Sequence, residues 1–407
     1  MSSVRIIAKT EHVKGKINLP LSKSISNRAL MISAISGGKV KPGELSEADD
    51  SVLLQQLLKQ IKEAKDPNLN TRNAGTVYRF LTAYLAVTSG QWILDGDERM
   101  RQRPVQPLVD ALHDLGAEIT YLGEDGFPPL QITGKTLNGG KVFMQAGYSS
   151  QHISALMMVA PLFKEGLSIG ILKQAVSVPY IEMTASMMTS AGAEVEMELP
   201  YIRISGNYKA ATLPFEYDWS AAAFWYELLA LSKGGELLLK GLKEESLQGD
   251  RVLESYFVSL GVETDFNDEG ALIRKGFFIN QHANFQLADY PDLVPVCAVT
   301  AAGKGFDGMF IGVAGLKYKE TDRLQALAQE LGKAGITCTV SEDEIIFKAQ
   351  RMEISEPFET YNDHRMAMAF APLAILGQPV TVNNPEVVSK SYPGFWEELS
   401  KILDVEF

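Results

Sequence analysis

The stretch "LQALAQELGKAGITCTV" (Leu324–Val340) decides the fold. Leu324, Leu327, Ala328 and Leu331 recur at helical spacing, Gly335 suits the left-handed position after a helix, and Ile336, Cys338 and Val340 alternate as in a strand. The same phrase occurs three more times: "LVDALHDLGAEITYL" around Gly116, "MTASMMTSAGAEVEMEL" around Gly192 and "LESYFVSLGVETDF" around Gly261. The glycines lie 76, 69 and 74 residues apart, and three are followed two residues on by Glu118, Glu194 or Glu263. That period is too long for a solenoid repeat and suits a unit of two helices and four strands. Helix–glycine–strand is common in α/β proteins, but four copies at near-even spacing argue for repetition. Tandem βα units in an α/β or α+β architecture follow, and the turn-rich stretch at 205–224 is a predicted domain crossing.

A chain of 407 residues is long enough for two domains and a large core. Hydrophobic residues make up 46% and no apolar run is long enough to span a membrane. The opening residues lack the apolar core and cleavage site of a secretory signal. Cys297 and Cys338 sit in apolar or strand-like stretches and the five histidines do not cluster with them, which suggests neither a disulfide framework nor a metal site and fits a reducing, cytoplasmic compartment. A net charge of −12 without a basic stripe argues against nucleic acid as a partner. A local cationic pocket for a small anion remains compatible with that balance.

Such a pocket is suggested by the heads of several apolar helices. "LPLSKSISNRALMISAIS" (19–36) reads as helical from Asn27, with Lys23, Arg28 and three serines at its start. "NAGTVYRFLTAYLAV" places Arg79 behind Thr76 as a candidate cap. "KETDRLQALAQEL" places Lys319 and Arg323 around Thr321 and Asp322. "YNDHRMAMAFAPLAIL" places His364 and Arg365 after Asp363. "GYSSQHISALMMVAPL" carries Ser149, Ser150 and Gln151. A cation at a helix N-terminus opposes the macrodipole and costs a few tenths to about 1 kcal/mol when nothing neutralises it. One such arginine is explained by a nearby acid and a solvated surface; four together point to helix heads that face a bound phosphate or carboxylate. There is no GxxxxGK[ST] and no GxGxxG, so neither a Walker A loop nor a dinucleotide site is expected. Arg99, Arg101 and Arg103 precede a proline-started helix, and Lys390 lies in "VSKSYPGFW". Two acids could move protons: Asp292, which could equally be an N-cap, and Glu320, which could equally pair with Arg323 one turn on.

Taken in order, "SKSISNRAL", "NAGTVYRF", "RQRP", "SSQ", "SVPYIE", "KETDR" and "YNDHRMAM" resemble the 5-enolpyruvylshikimate-3-phosphate synthase family of enolpyruvyl transferases, nearly end to end. The resemblance implies a two-domain inside-out barrel, each domain of about three βαβαββ units, with domains at 21–217 and at 1–20 with 218–407. It implies transfer of the enolpyruvyl group of phosphoenolpyruvate to the 5-hydroxyl of shikimate 3-phosphate, releasing phosphate, with no cofactor or metal and with a monomeric chain. It implies that Lys23, Ser24, Arg28, Ser149, Ser150, Gln151, Ser177, Tyr180, Asp292 and Lys319 meet shikimate 3-phosphate. Lys23, Gly75, Arg103, Gln151, Arg323, Arg365 and Lys390 would meet phosphoenolpyruvate, with Arg79 and His364 close by. Catalysis would fall to Asp292 at the hydroxyl, Glu320 at the methylene carbon, and Lys319 and Lys23. Clamp residues in both domains would favour closure on the substrates.

The chemistry asks for these residue types. Two phosphorylated acids repel each other, and fixed cations both neutralise and orient them. One group must take the hydroxyl proton, and another must give a proton to carbon and then take one back. Three departures from the family pattern stand out: Leu21 replaces a glycine, Phe80 replaces a proline, and the 51–72 segment is short, which predicts one truncated repeat. Alternatives are the related transferase acting on UDP-N-acetylglucosamine, an anion-binding protein without activity, and an RNA-end-processing protein of related repeats. The absence of a cysteine on a basic loop opposes the first, the presence of Asp292, Glu320 and Lys319 opposes the second, and the acidic balance opposes the third.

Overall fold

The computed structural model describes residues 2–64, 66–145, 149–173, 175–278 and 281–407. The chain opens with β1 (Ser3–Ala8) and β2 (His12–Asn18), followed by α1 (Lys23–Ile35), β3 (Val40–Lys41) and α2 (Asp49–Glu63). A first complete repeat runs through β4 (Asn68–Asn70), α3 (Gly75–Val87), β5 (Gly90–Asp95), α4 (Gln106–Asp114), β6 (Glu118–Tyr121) and β7 (Leu130–Gly134). A second runs through β8 (Gly140–Gln145), α5 (Ser150–Val159), β9 (Leu167–Leu172), α6 (Val178–Ser190), β10 (Glu194–Glu198) and β11 (Tyr201–Ser205), and β12 (Ala211–Thr212) follows. A third takes β2 as its first strand and continues in α7 (Trp219–Leu231), β13 (Gly234–Lys240), α8 (Leu253–Ser259), β14 (Val262–Asn267) and β15 (Gly270–Lys275). A fourth is β16 (His282–Gln286), α9 (Val294–Gly303), β17 (Asp307–Ile311), α10 (Arg323–Lys333), β18 (Cys338–Val340) and β19 (Glu344–Phe347). The chain closes with α11 (His364–Phe370), β20 (Val380–Asn383), α12 (Phe395–Ser400) and β21 (Leu403–Glu406).

Each complete repeat makes the same four-stranded sheet. Its first two strands pair in parallel across a helix, and a hairpin returns antiparallel, giving the orders β4-β5-β7-β6, β8-β9-β11-β10, β2-β13-β15-β14 and β16-β17-β19-β18. The glycines of the recurrent phrase occupy one equivalent place, between the second helix and third strand, with φ of 86°, 92°, 83° and 83° at Gly116, Gly192, Gly261 and Gly335. The two remaining repeats are permuted by where the chain begins and crosses. Phe358 bridges β20 in parallel, and β1, at the start of the chain, fills the slot between β20 and β21. The last repeat is truncated: β12 pairs with β3 in parallel, and among the described residues no strand lies between Glu63 and Asn68. The short 51–72 segment therefore lacks the hairpin.

The chain divides into two compact units, Met1–Ser22 with Glu216–Phe407, and Lys23–Phe215. The crossing lies inside the turn-rich stretch read from the sequence. Within each unit the helices differ by place in the repeat. In the unit Lys23–Phe215, α1, α3 and α5 pack on one another; in the other unit α7, α9 and α11 do so. These helices are apolar on nearly every side: every residue of α11 is buried, and every residue of α7 except Ser220. The second helices bury one face only, as α4 does with Leu108, Val109, Ala111 and Leu112. A helix buried all round must sit inside its domain, and the sheets then cover it. That is the inside-out arrangement.

Gly116 isolates the conformational cost, because a Cβ added there meets nothing within 4 Å. Gly116→Ala should lower stability by about 1–2 kcal/mol, read from the urea midpoint. Gly134→Ala should cost more, since its Cβ would lie 1.7 Å from the Thr88 carbonyl oxygen.

Candidate active site

The repeat places the N-termini of the buried helices together within each unit, and the residues singled out from the sequence gather there. In the unit Lys23–Phe215, α1 begins at Lys23, four residues earlier than its apolar pattern suggests. The early turn holds because its polar groups have buried partners. The Ser26 hydroxyl accepts from the Ser46 N–H at 2.9 Å, and Asn27 Oδ1 accepts from the Ser51 hydroxyl at 2.8 Å. Lys23 Nζ pairs with Asp50 at 3.0 Å. Arg28 is buried; its Nε donates to Thr184 Oγ1 at 2.7 Å, and its other nitrogens donate to the carbonyls of Ser24 and Tyr180 at 3.1 Å. Burial pushes its guanidinium down to about 10, still charged at neutral pH. Phe80 is fully buried, with its ring 5.5 Å from the Arg28 guanidinium, and the Tyr180 ring lies at 6.0 Å.

Beside it, the head of α3 meets the head of α5. Arg79 donates to His152 Nε2 at 2.8 Å, to Gln151 Oε1 at 2.9 Å and to the Pro104 carbonyl at 3.1 Å. Gln151 in turn donates to Thr76 Oγ1 at 2.9 Å. Burial, and then Arg79, hold the His152 imidazole well below its usual range, so it is neutral and can accept from Arg79. Thr76 is not a cap: α3 starts at Gly75 with Ala74 in the cap position. Gly75 is required for a different reason. A Cβ there would lie 2.4 Å from Arg103 Nη2 and 2.7 Å from Arg79 Nη1, so the missing side chain is what lets two guanidinium groups close on one point. Arg103 also donates to the carbonyl and side chain of Asn73, at 3.2 and 3.1 Å. Ser149 caps α5 by accepting from the Gln151 N–H at 3.2 Å, and Ser150 is buried in the first turn. Ser177 precedes α6 in the left-handed region, at φ 55°, an uncommon place for a residue with a side chain. Leu21, in the other unit, has its backbone bridged to Tyr217.

In the unit of Met1–Ser22 with Glu216–Phe407, the sites converge on Asp292. This acid is not a helix cap; Leu293 holds that position before α9. Its carboxylate receives Arg365 Nη2 at 2.8 Å and Arg323 Nη1 at 3.2 Å, with Lys319 Nζ at 3.5 Å. Arg323 is buried and further donates to both oxygens of Asp363, at 2.8 and 3.3 Å, and to Glu320 Oε2 at 2.9 Å. Asp322 and Asp363 are true caps, accepting from the N–H groups of Gln325 at 3.2 Å and Arg365 at 2.9 Å. His364 Nδ1 lies 3.8 Å from Asp363, and Lys390 ends a 3-10 turn that packs against α11. Burial disfavours the charge on Asp292, but Arg365, Lys319 and Arg323 outweigh it and hold its carboxyl well below the usual carboxylate range. Burial lowers the Lys319 amine from its ordinary value, against the pull of Asp292.

Two things differ from the sequence reading. The cations of Lys23, Arg323 and Arg365 are paired with acids, yet the pairs are largely buried instead of solvated. Protein carboxylates thus supply part of the countercharge that the helix-head pattern assigned to a bound anion. The second difference is a missed acid. Asp250, buried and bonded by the Ser220 hydroxyl at the head of α7, feels both Asp292 and Arg365. Its stretch, "LQGDRV", carries no charge pattern, and only the packing of α7 and α9 brings it to this cluster.

Helix heads lined with lysine, arginine and serine, with acids held among them, bring together groups able to bind anions and groups able to move protons. The model of EPSP synthase (3-phosphoshikimate 1-carboxyvinyltransferase) matches residues 7–66 and 43–399. A 3-phosphoshikimate 1-carboxyvinyltransferase of Bacteroides fragilis is 40% identical over 97% of each chain, and one of Vibrio cholerae is 33% identical over 96% of this chain and 97% of that one. The solved EPSP synthase of Acinetobacter baumannii superposes with a TM-score of 0.79 over the whole of both chains at 23% identity, a likeness of fold. The chain belongs to the EPSP synthase family.

The acids give opposite pH signatures. Asp250 is pushed up to about 6, by burial first and then by Asp292. Between about 4, where an unfolded aspartate ionises, and that value, the unfolded chain loses this proton and the folded chain keeps it. Stability therefore falls as pH rises through that window. Asp292, with its depressed pKa, contributes stability above about 4 that is lost as pH falls below it. Asp250→Asn should flatten the decline between the two pH values in urea midpoints; an equally deep decline in the variant would reject this assignment.

Proposed function

We propose that the chain transfers the enolpyruvyl group of phosphoenolpyruvate to the 5-hydroxyl of shikimate 3-phosphate, the reaction of its family, using the residues gathered at the helix heads. The observation that carries the residue assignment is the Asp292 cluster: an acid held ionised by Arg323, Arg365 and Lys319, with Glu320 on the same arginine. Pairing alone would account for acids that hold the cations; the proton transfers of this reaction further require ionisable groups such as Asp292, Glu320 and Lys319 among them.

In this reading Lys23, Ser24, Arg28, Ser149, Ser150, Gln151, Ser177 and Tyr180 hold shikimate 3-phosphate. Lys23, Gly75, Arg103 and Gln151, and likewise Arg323, Arg365 and Lys390, are the residues we assign to phosphoenolpyruvate. Gly75 serves by admitting Arg103 and Arg79. The hydroxyl oxygen attacks C2 of phosphoenolpyruvate while Glu320 gives a proton to C3. Phosphate then leaves C2, and Glu320 recovers a proton from C3. Asp292 is a weak base because its pKa is depressed, so it orients the hydroxyl, and the burial-lowered amine of Lys319 is suited to take the proton. No helix among the described residues is long and apolar enough to cross a membrane. A monomeric, cytoplasmic enzyme acting on two small anions is the reading we adopt.

The test supplies both substrates and follows phosphate release. Asp292→Asn, Glu320→Gln and Lys319→Met should each lower kcat by about 10²–10⁴. Lys319→Met should also remove the acidic limb of the pH–rate profile, where this amine loses its proton. Binding of both substrates without phosphate release by the unaltered chain would reject the proposal.

A further inference from the structure

At the end of α9 away from Asp292 lies a second group of titratable side chains, which the reaction does not use. Lys275 ends β15 and Lys304 follows α9, and both direct their amines at one carbonyl oxygen, that of Ala230 in the last turn of α7. Lys304 Nζ lies 3.2 Å from it; Lys275 bonds the same oxygen and lies 3.3 Å from the Leu229 carbonyl. The Lys304 amine also stands 4.4 Å from the ring centroid of Phe278 and 5.2 Å from that of Phe306. Helix C-termini attract cations, which accounts for one lysine here. Two ammonium groups on one carbonyl repel each other, and both are partly removed from water. Burial first, and then Lys275, push the Lys304 amine down to about 7. The ring faces favour the charged form and offset part of this. Lys275 is lowered as well by burial, while its interaction with Lys304 supports the charge on Lys275 and opposes that on Lys304. Among the described residues Lys275 is the charged group that acts on Lys304.

We propose that Lys304 is an acylation site for small acyl phosphates, with its free amine as nucleophile and Lys275 as the cation that receives the departing phosphate. The lone pair of Nζ attacks the carbonyl carbon and forms the C–N bond. The bond from that carbon to the phosphate oxygen breaks, phosphate leaves with the electron pair, and the surplus proton on nitrogen passes to water. The product is a neutral amide with its acyl chain against Phe278 and Phe306. The step changes no oxidation state, and it does not depend on the reaction assigned to the helix heads.

The experiment incubates the full chain with acetyl phosphate between pH 6 and 9 and measures occupancy of each lysine by peptide mass spectrometry. Lys14, whose side chain is 83% exposed, is the internal reference. At pH 7 Lys304 should be acetylated about tenfold or more faster than Lys14, because burial and Lys275 favour the free amine at Lys304. The Lys304 rate should level off above neutral pH while the Lys14 rate keeps rising. Lys275→Met should bring Lys304 down towards the Lys14 rate at pH 7, and Lys304→Arg should leave phosphate-release turnover unchanged. Equal rates at the two lysines in the unaltered chain, or a Lys304 rate that rises through pH 9 in parallel with Lys14, overturns the proposal without recourse to any variant. A Lys304 rate that Lys275→Met leaves unchanged, in a variant that keeps its turnover, overturns the role of Lys275.

Discussion

The structure rests on helices with no exposed residue on any side. α7, α9 and α11 in one unit, and α1, α3 and α5 in the other, can be satisfied only by being enclosed. Sheets on the outside meet that need, and the repeat sets every enclosed helix the same way round. Their N-termini then gather at one end of each unit. The free N–H groups and positive dipole ends of several helices are thereby concentrated in a small space. Nearly everything chemical in the molecule follows from that concentration.

Such a place favours negative charge, yet it is furnished mainly with lysine and arginine. Internal acids resolve part of the conflict: Asp50 meets Lys23, while Asp292, Glu320 and Asp363 meet Arg323. Breaking a buried pair of this kind costs about 3–5 kcal/mol, because the remaining charge is stranded. The acids therefore keep the cations in place, and the same contacts tune the acids. Asp292 is driven down by its three cations, while Asp250, nearby but bonded to a serine, is driven up. Burial raises both aspartates; three cations overcome it at Asp292, while at Asp250 the Ser220 hydrogen bond and Arg365 do not.

Much of this was legible in the residues. Gly116, Gly192, Gly261 and Gly335 marked the repeat because a left-handed backbone position tolerates few alternatives, and all four adopt it. Asp322, Asp363 and Ser149, quoted at the heads of their helices, prove to be the caps, whereas Thr76 does not. Where long-range contacts decide, the local reading went astray. Helix α1 starts before its apolar stripe because Ser46 and Ser51 satisfy its polar face. Asp292 resembles a cap in sequence but is pulled to Arg365, distant in the chain. Asp250 bore no signal, since its neighbours come from α7, α9 and α11.

By itself the sequence determined the repeat and the types of side chain at the helix heads, while the two-domain bounds and the short 51–72 segment were read from its resemblance to a family. The repeat and the helix heads depend on periodicity, glycine conformation and capping, which act over a few residues. Only the tertiary structure decided that β1 completes a sheet begun by Phe358 and β20, that Gly75 makes room for Arg103 and Arg79, and which acid answers which cation. Those outcomes turn on distances of a few ångströms between residues far apart in the chain. Electrostatic energy depends on that separation and on burial, and neither is encoded in local order.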